Sequence, residues 1–309
     1  MIKSSNQVYS ITRPGMTETL LPMVVDSPHS GTLYPINNGI VAPADALKTT
    51  WDAYVDELWG AAPALGGVLL AARFPRAYID PNRAPDDIDE AMLAGAWRTP
   101  PVPSAACRRG MGLIRLNALP GVPMYDGKLP VAEVAHRLDD YYMQYHNVLE
   151  TLLDDAVHGF GAVWHIDCHS MKSVGNAMNV DNGAARPDIV VSDRSGTSAD
   201  PRFTAWVAAQ FEQLGYRVSI NTPYQGGYIV QRYGMPLADR HSVQIEIKRD
   251  VYMDEKSCEK HEGFERLQQN LASFLQAMAH YVAQALKSDT SLARRARNAS
   301  RQAATGRAG

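Results

Sequence analysis

Cysteine is scarce in this chain, with only Cys107, Cys168 and Cys258 among 309 residues. An odd number at wide spacings builds neither a disulfide framework nor a cysteine-based zinc ribbon, and such usage suits a reducing cytoplasm. Long apolar runs are also missing. The most apolar stretches, residues 67–72 and 159–166, fall far short of the ~20 residues that cross a bilayer. The opening MIKSSNQVYSITRPG has no apolar core of a signal peptide. Positive charge is not in excess, since 30 Lys and Arg stand against 33 Asp and Glu, which argues against nucleic acid as a partner. What remains, 45% hydrophobic and 20% charged residues, excludes a disordered or fibrous chain.

Periodicity organises the chain into alternating strands and helices. Residues 21–26 (LPMVVD), 67–72, 76–80, 162–167, 188–192, 217–220 and 242–248 read as strands, most of them short apolar runs closed by turn residues. Residues 43–62 read as one helix, with Leu47, Trp51, Tyr54, Val55, Leu58 and Trp59 at helical spacing and Asp52 and Asp56 sharing another face. Further helices are expected over 130–157, 201–214 and 263–286. Residues 81–123 form a long loop rich in Pro, Gly, Arg and Asp, of the kind that carries function. The alternation predicts a single α/β domain over residues 1–286, built on a mixed, mainly parallel sheet flanked by helices. The last stretch, 287–309, holds six basic residues and one acidic one with little to pack, and is expected to be a mobile tail.

Several strands end in polar clusters that a core does not require, and ligands bind at the carboxyl ends of strands in open α/β sheets. The first cluster is DSPHSG at 26–31, in which Pro28 stiffens the exit and His29 is presented from a rigid edge. The second is HIDCHS at 165–170, in which His165, Asp167 and His169 share one face of an extended chain. Two histidines from separate strand ends with one carboxylate are a usual ligand set for catalytic zinc, so His29 and His169 are candidate metal ligands. His165, deeper in its strand, reads as structural. Cys168 points away from His169 and cannot use it as a base. In VQIEIK at 243–248, Glu246 interrupts an apolar alternation, and is either a solvent-facing charge or a buried one that needs a partner. Asn82, Arg83 and Arg194 follow expected strands, and the arginine forks suit an anionic substrate. Gly226 and Gly227 either bring backbone amides close to a ligand or form a turn.

Taken in order, SPHSG at 27–31, DAYVDELW at 52–59, DPNR at 80–83, DCHS at 167–170, PYQGGYIVQRYG at 223–234 and QIEIKRDVYMDE at 244–255 resemble the N-formylglutamate amidohydrolase family over residues 20–285. The resemblance implies a phosphorylase/hydrolase-like α/β fold, distantly similar to zinc carboxypeptidases. It also implies a zinc-dependent hydrolysis of N-formyl-L-glutamate to L-glutamate and formate, the last step of histidine breakdown, on a small-molecule substrate without nucleic acid or membrane. His29 and His169 become two ligands of Zn2+ or another divalent metal, and Asp56 the carboxylate ligand, with Glu57 and Asp167 competing for that role. Glu246 becomes the general base. Asn82 and Arg83, together with Arg194, Gly226 and Gly227, become the substrate-binding set. Two other readings stand beside this one: a zinc carboxypeptidase or other N-acyl amino acid amidohydrolase, and a non-catalytic carboxylate-binding protein.

Overall fold

A computed structural model describes residues 1–288. The expected tail at 287–309 therefore lies, from residue 289 onward, outside the described residues. An eight-stranded mixed sheet runs through the molecule in the order β1-β2-β4-β3-β9-β12-β10-β11. Its strands are β1 (Ile2–Ser5), β2 (Tyr9–Arg13), β3 (Met23–Ser27), β4 (Val68–Ala72), β9 (Val163–Met171), β10 (Ile189–Ser192), β11 (Val218–Ile220) and β12 (Arg240–Lys248). Two small ribbons pair β5 (Leu93–Ala94) with β8 (Leu129–Pro130) and β6 (Asn117–Leu119) with β7 (Val122–Pro123). The centre, β4-β3-β9-β12, is parallel, so four carboxyl ends meet at one edge.

Period-two alternation divides the residues of these strands between two environments. Met23 and Val25 of β3, Trp164, Ile166 and Cys168 of β9, and Val243, Ile245 and Ile247 of β12 all join one apolar core. The helices α2 (Val55–Leu58), α5 (Pro201–Gln213) and α7 (Gly263–Ser288) contribute to it, the last two through Phe203, Val207 and Phe211 and through Leu267, Leu271, Phe274 and Met278. Towards the carboxyl ends the intervening positions are polar, Asp26, His165, Asp167, His169, Ser242, Gln244 and Glu246, while Val24 and Val163 at the other end join a second core. That core lies beneath α3 (Val131–Arg137), a π-helical turn (Leu138–Tyr142) and α4 (Met143–Phe160). The polar face is thus built in wherever the sequence alternates.

Two expectations need correction, and one feature was not foreseen. Residues 43–62 are not one helix. α1 (Ala44–Lys48) stops where the hydroxyls of Thr49 and Thr50 bond back to the carbonyls of Ala46 and Leu47, at 2.7 and 2.8 Å, and Tyr54 adopts a left-handed φ of 62° before α2 begins. Residues 76–80 are not a strand, because Phe74-Pro75 opens a turn closed by the Tyr78 amide on the Pro75 carbonyl at 2.9 Å. β1 and β2 were not anticipated, since β1 is exposed throughout and offers no apolar alternation.

Candidate active site

The carboxyl edge of the parallel strands carries two histidines whose rings meet. His29 follows β3 and His169 lies near the end of β9, with ring centroids 4.6 Å apart and both side chains about 1–2% exposed. Gly31 permits the tight exit after His29, because a Cβ there would strike the backbone carbonyls of Arg73 and Phe74. Each ring is fixed by a carboxylate on Nε2: Asp80 at 2.7 Å for His29 and Asp167 at 2.7 Å for His169. When each ring donates its Nε2–H to that carboxylate, a lone pair is left on each Nδ1. The two Nδ1 atoms face each other at 3.0 Å, and Asp52 Oδ2 stands 3.3 and 3.2 Å from them.

Three acceptors converging on one point repel each other unless a cation lies among them. The set of two neutral imidazoles and one carboxylate, each imidazole backed by a second carboxylate, fits a divalent metal. Burial works to raise the Asp52 pKa, but the adjoining His169 and His29 rings and the nearby Arg249 outweigh it and hold the carboxyl well below its usual range. Arg249 reaches Asp52 Oδ1 at 2.9 Å. Burial likewise works against ionised Asp80, and Arg76 and His29 overcome it.

The acidic member of the cluster is Asp52, where Asp56 had been expected. The helix break explains the change. Asp52 sits in the non-helical link with its amide on the His29 carbonyl at 3.2 Å, whereas Asp56 lies in the single turn of α2, its amide held by Ser30 Oγ at 3.1 Å. Glu57 faces outward to Lys260 at 2.6 Å, and Asp167 is engaged in orienting His169.

A cavity of about 490 Å3 opens over this cluster. Glu246, whose β12 register sets it opposite His169, is the only carboxylate in its lining among the described residues. Burial pushes the Glu246 pKa up, with His169 opposing and Asp52 reinforcing. Gln244 donates to Glu246 Oε1 at 3.0 Å and accepts from the Gly227 amide at 2.7 Å. Asn82 donates to Asp167 and Gln244, both at 3.3 Å, and its Oδ1 accepts from the Ile229 amide at 2.8 Å. A Cβ on Gly227 would collide with that Asn82 amide, which is why glycine stands there.

Arg83, Gly226 and Gly227 line the cavity as well, but Arg194 does not. β10 runs antiparallel to β12, so its carboxyl end points away from the shared edge, and Arg194 instead braces the Gly226 carbonyl at 3.2 Å. The Gly227 amide is spent on Gln244 rather than left open. The cavity gains cations that the motifs did not indicate: Arg76, Arg109, Arg115, Lys172, Arg186 and Arg249. Arg76, Arg186 and Arg249 pair with Asp80, Asp181 and Asp52. Only their convergence in space marks them, and no local pattern does so.

Asp26, His165 and Ser242 have the connectivity of a hydrolase triad, at 2.9 and 2.8 Å. All three are 1% exposed or less, so they serve the sheet interior. Cys168 is buried in the apolar core on the opposite face from His169.

The N-formylglutamate amidohydrolase family matches residues 21–253. The chain belongs to this family. An N-formylglutamate amidohydrolase from Ralstonia eutropha JMP134 superposes with a TM-score of 0.86 at 42% identity, covering 91% of this chain and all of that one. N-formylglutamate deformylases of Pseudomonas aeruginosa and Pseudomonas putida are 32% and 30% identical, over 77% and 76% of this chain and 84% and 83% of their own. A gene product of Agrobacterium tumefaciens at 18% identity shares the fold, with a TM-score of 0.65 over 92% of this chain. The family match covers His29, Asp52, Asn82, His169 and Glu246 alike. No helix among the described residues is long and apolar enough to cross a membrane.

Proposed function

We propose that this protein hydrolyses N-formyl-L-glutamate to L-glutamate and formate, using a divalent metal, zinc by its donor set, held by His29, Asp52 and His169. The observation that carries this reading is the meeting of His29 Nδ1, His169 Nδ1 and Asp52 Oδ2 within 3.0–3.3 Å beneath a cavity lined by cations. When bound, such an ion supplies a Lewis acid that polarises the formyl carbonyl and makes water more acidic.

The chain's own groups account for the rest. Glu246 takes a proton from the attacking water as the water oxygen bonds to the formyl carbon. The carbon–nitrogen bond then breaks, and Glu246 returns the proton to the departing amine nitrogen. Arg76, whose Nη1 lies 3.9 Å from Asp52, offers positive charge beside the developing oxyanion. Arg83 holds a substrate carboxylate, and Asn82, whose amide hydrogens are spent on Asp167 and Gln244, fixes the loop that presents it. A cavity of this size and charge suits a small dicarboxylate better than an extended peptide, and Glu246 beside the cluster supports catalysis over mere binding. We place the enzyme in the cytoplasm, with its three buried free cysteines in support, and at the last step of histidine degradation, as the family resemblance implies.

The test is a panel of N-formyl-, N-acetyl- and N-succinyl-L-glutamate with metal-loaded protein. Preferential release of formate is expected. Faster cleavage of the acetyl or succinyl compound would assign the site to another N-acyl amino acid amidohydrolase.

A further inference from the structure

Three cations in the cavity lining, Arg109, Arg115 and Lys172, have no carboxylate within ion-pair distance among the described residues, and of these Arg109 spends its Nε on the Met178 carbonyl at 2.8 Å. Arg115 is 7% exposed, lines the cavity and leaves its buried Nε without a hydrogen-bond partner. The carboxylate nearest to it electrostatically is Asp80, already taken by Arg76 at 2.6 Å and His29 at 2.7 Å. Lys172, also in the lining, feels Arg249, Arg115 and Arg186 as like charges, with Glu255 opposing them in part. A guanidinium buried among Arg76 and Arg83 without a counter-ion is costly. That cost is offset when an anion enters.

Arg83 also has an unpartnered Nε, but its neighbour Asn82 stands 3.0 Å from His169 Nε2. Arg83, next to Asn82 in the chain, is therefore close to the reacting carbon and suits the α-carboxylate, which is attached to the same carbon as the amide nitrogen. The side-chain carboxylate lies farther along the substrate. We infer that Arg115, flanked by Lys172, is the specificity-determining residue that receives this side-chain carboxylate. The inference rests on the deformylase reading and names the group by which the site selects a glutamate skeleton.

The test compares kcat/KM for N-formyl-L-glutamate and N-formyl-L-glutamine, alike in shape and different in side-chain charge, in wild type, Arg115→Met and Arg115→Lys. Arg115→Met should lose about 100-fold or more on the glutamate compound and change little on the glutamine compound. Arg115→Lys, which keeps the charge and guards against misfolding, should show a smaller loss with the same selectivity. In a readout without turnover, glutarate should raise the melting temperature of wild type more than that of Arg115→Met. Equal losses on both substrates, no loss on either, or equal protection by glutarate would overturn the assignment. A wild type that deformylates neither compound would instead overturn the deformylase reading itself.

Discussion

Asp52 and Asp56 differ by one helical turn in sequence and by their whole role in the structure. Asp52 Oδ2 faces both histidine Nδ1 atoms and is steadied by the Ser170 amide at 3.2 Å, whereas Asp56 feels chiefly burial, Glu57 and Lys3. Asp52→Ala should therefore abolish stoichiometric metal binding, and Asp56→Ala should leave it intact, as measured by elemental analysis after dialysis. Metal retained at full occupancy in Asp52→Ala would remove Asp52 from the ligand set. Glu246 calls for a different experiment, because its role is proton transfer. Glu246→Gln keeps the shape and the Gln244 contact, so substrate KM and metal content should persist while kcat falls by ~10² to 10⁴. A near-normal kcat would make Glu246 a structural residue.

At the level of elements, the break between α1 and α2 shows why some of the site was legible and some was not. Strand alternation in β9 and β12 set His169 and Glu246 apart from the apolar positions of their own strands, because a period of two is a local property of the sequence, whereas only the pairing of the two strands brings them to a common face. His29 was legible for the same reason, as the residue where an apolar strand gives way to SPHSG. The acidic ligand was not, because the apolar spacing of residues 47–59 satisfies a continuous helix and does not reveal that Thr49, Thr50 and Tyr54 interrupt it. Arg194 misled because strand direction is set by tertiary pairing, and only the antiparallel register of β10 with β12 shows where its end points. Arg76 and Arg115 come from loops whose course depends on distant contacts. The start of α6 (Tyr228–Tyr233) gives a test of how tightly such loops are fitted. Gly227→Ala would drive a methyl into the Asn82 amide, and should cost about 1–3 kcal/mol in urea unfolding and raise KM. Unchanged stability and KM would show that the two loops separate freely.

Across the whole molecule, the buried polar groups couple stability to pH. His146 lies between the Tyr233 hydroxyl and the Pro81 carbonyl, each at 2.8 Å, and links α4 to the loop that carries Asn82. Burial lowers its pKa to about 4, with the Pro81 carbonyl opposing. The unfolded chain binds this proton near pH 6.5 and the folded chain only near 4, so the native state loses stability as pH falls through that window. Between pH 7 and 5 the loss assigned to His146 is about 2 kcal/mol. Urea unfolding at both values should show a steeper decline in wild type than in His146→Gln, and parallel declines would remove His146 as the cause.

The cationic cavity, the paired histidines and Glu246 together make one claim, that a metal-dependent deformylation of N-formyl-L-glutamate takes place at the carboxyl edge of this sheet. Formate release by the metal-loaded protein, measured before and after treatment with a chelator and again after zinc is restored, tests it most directly. The account predicts one formate per glutamate, loss of both with the chelator and recovery with zinc, whereas formate release indifferent to the chelator, or none from the metal-loaded protein, would contradict it.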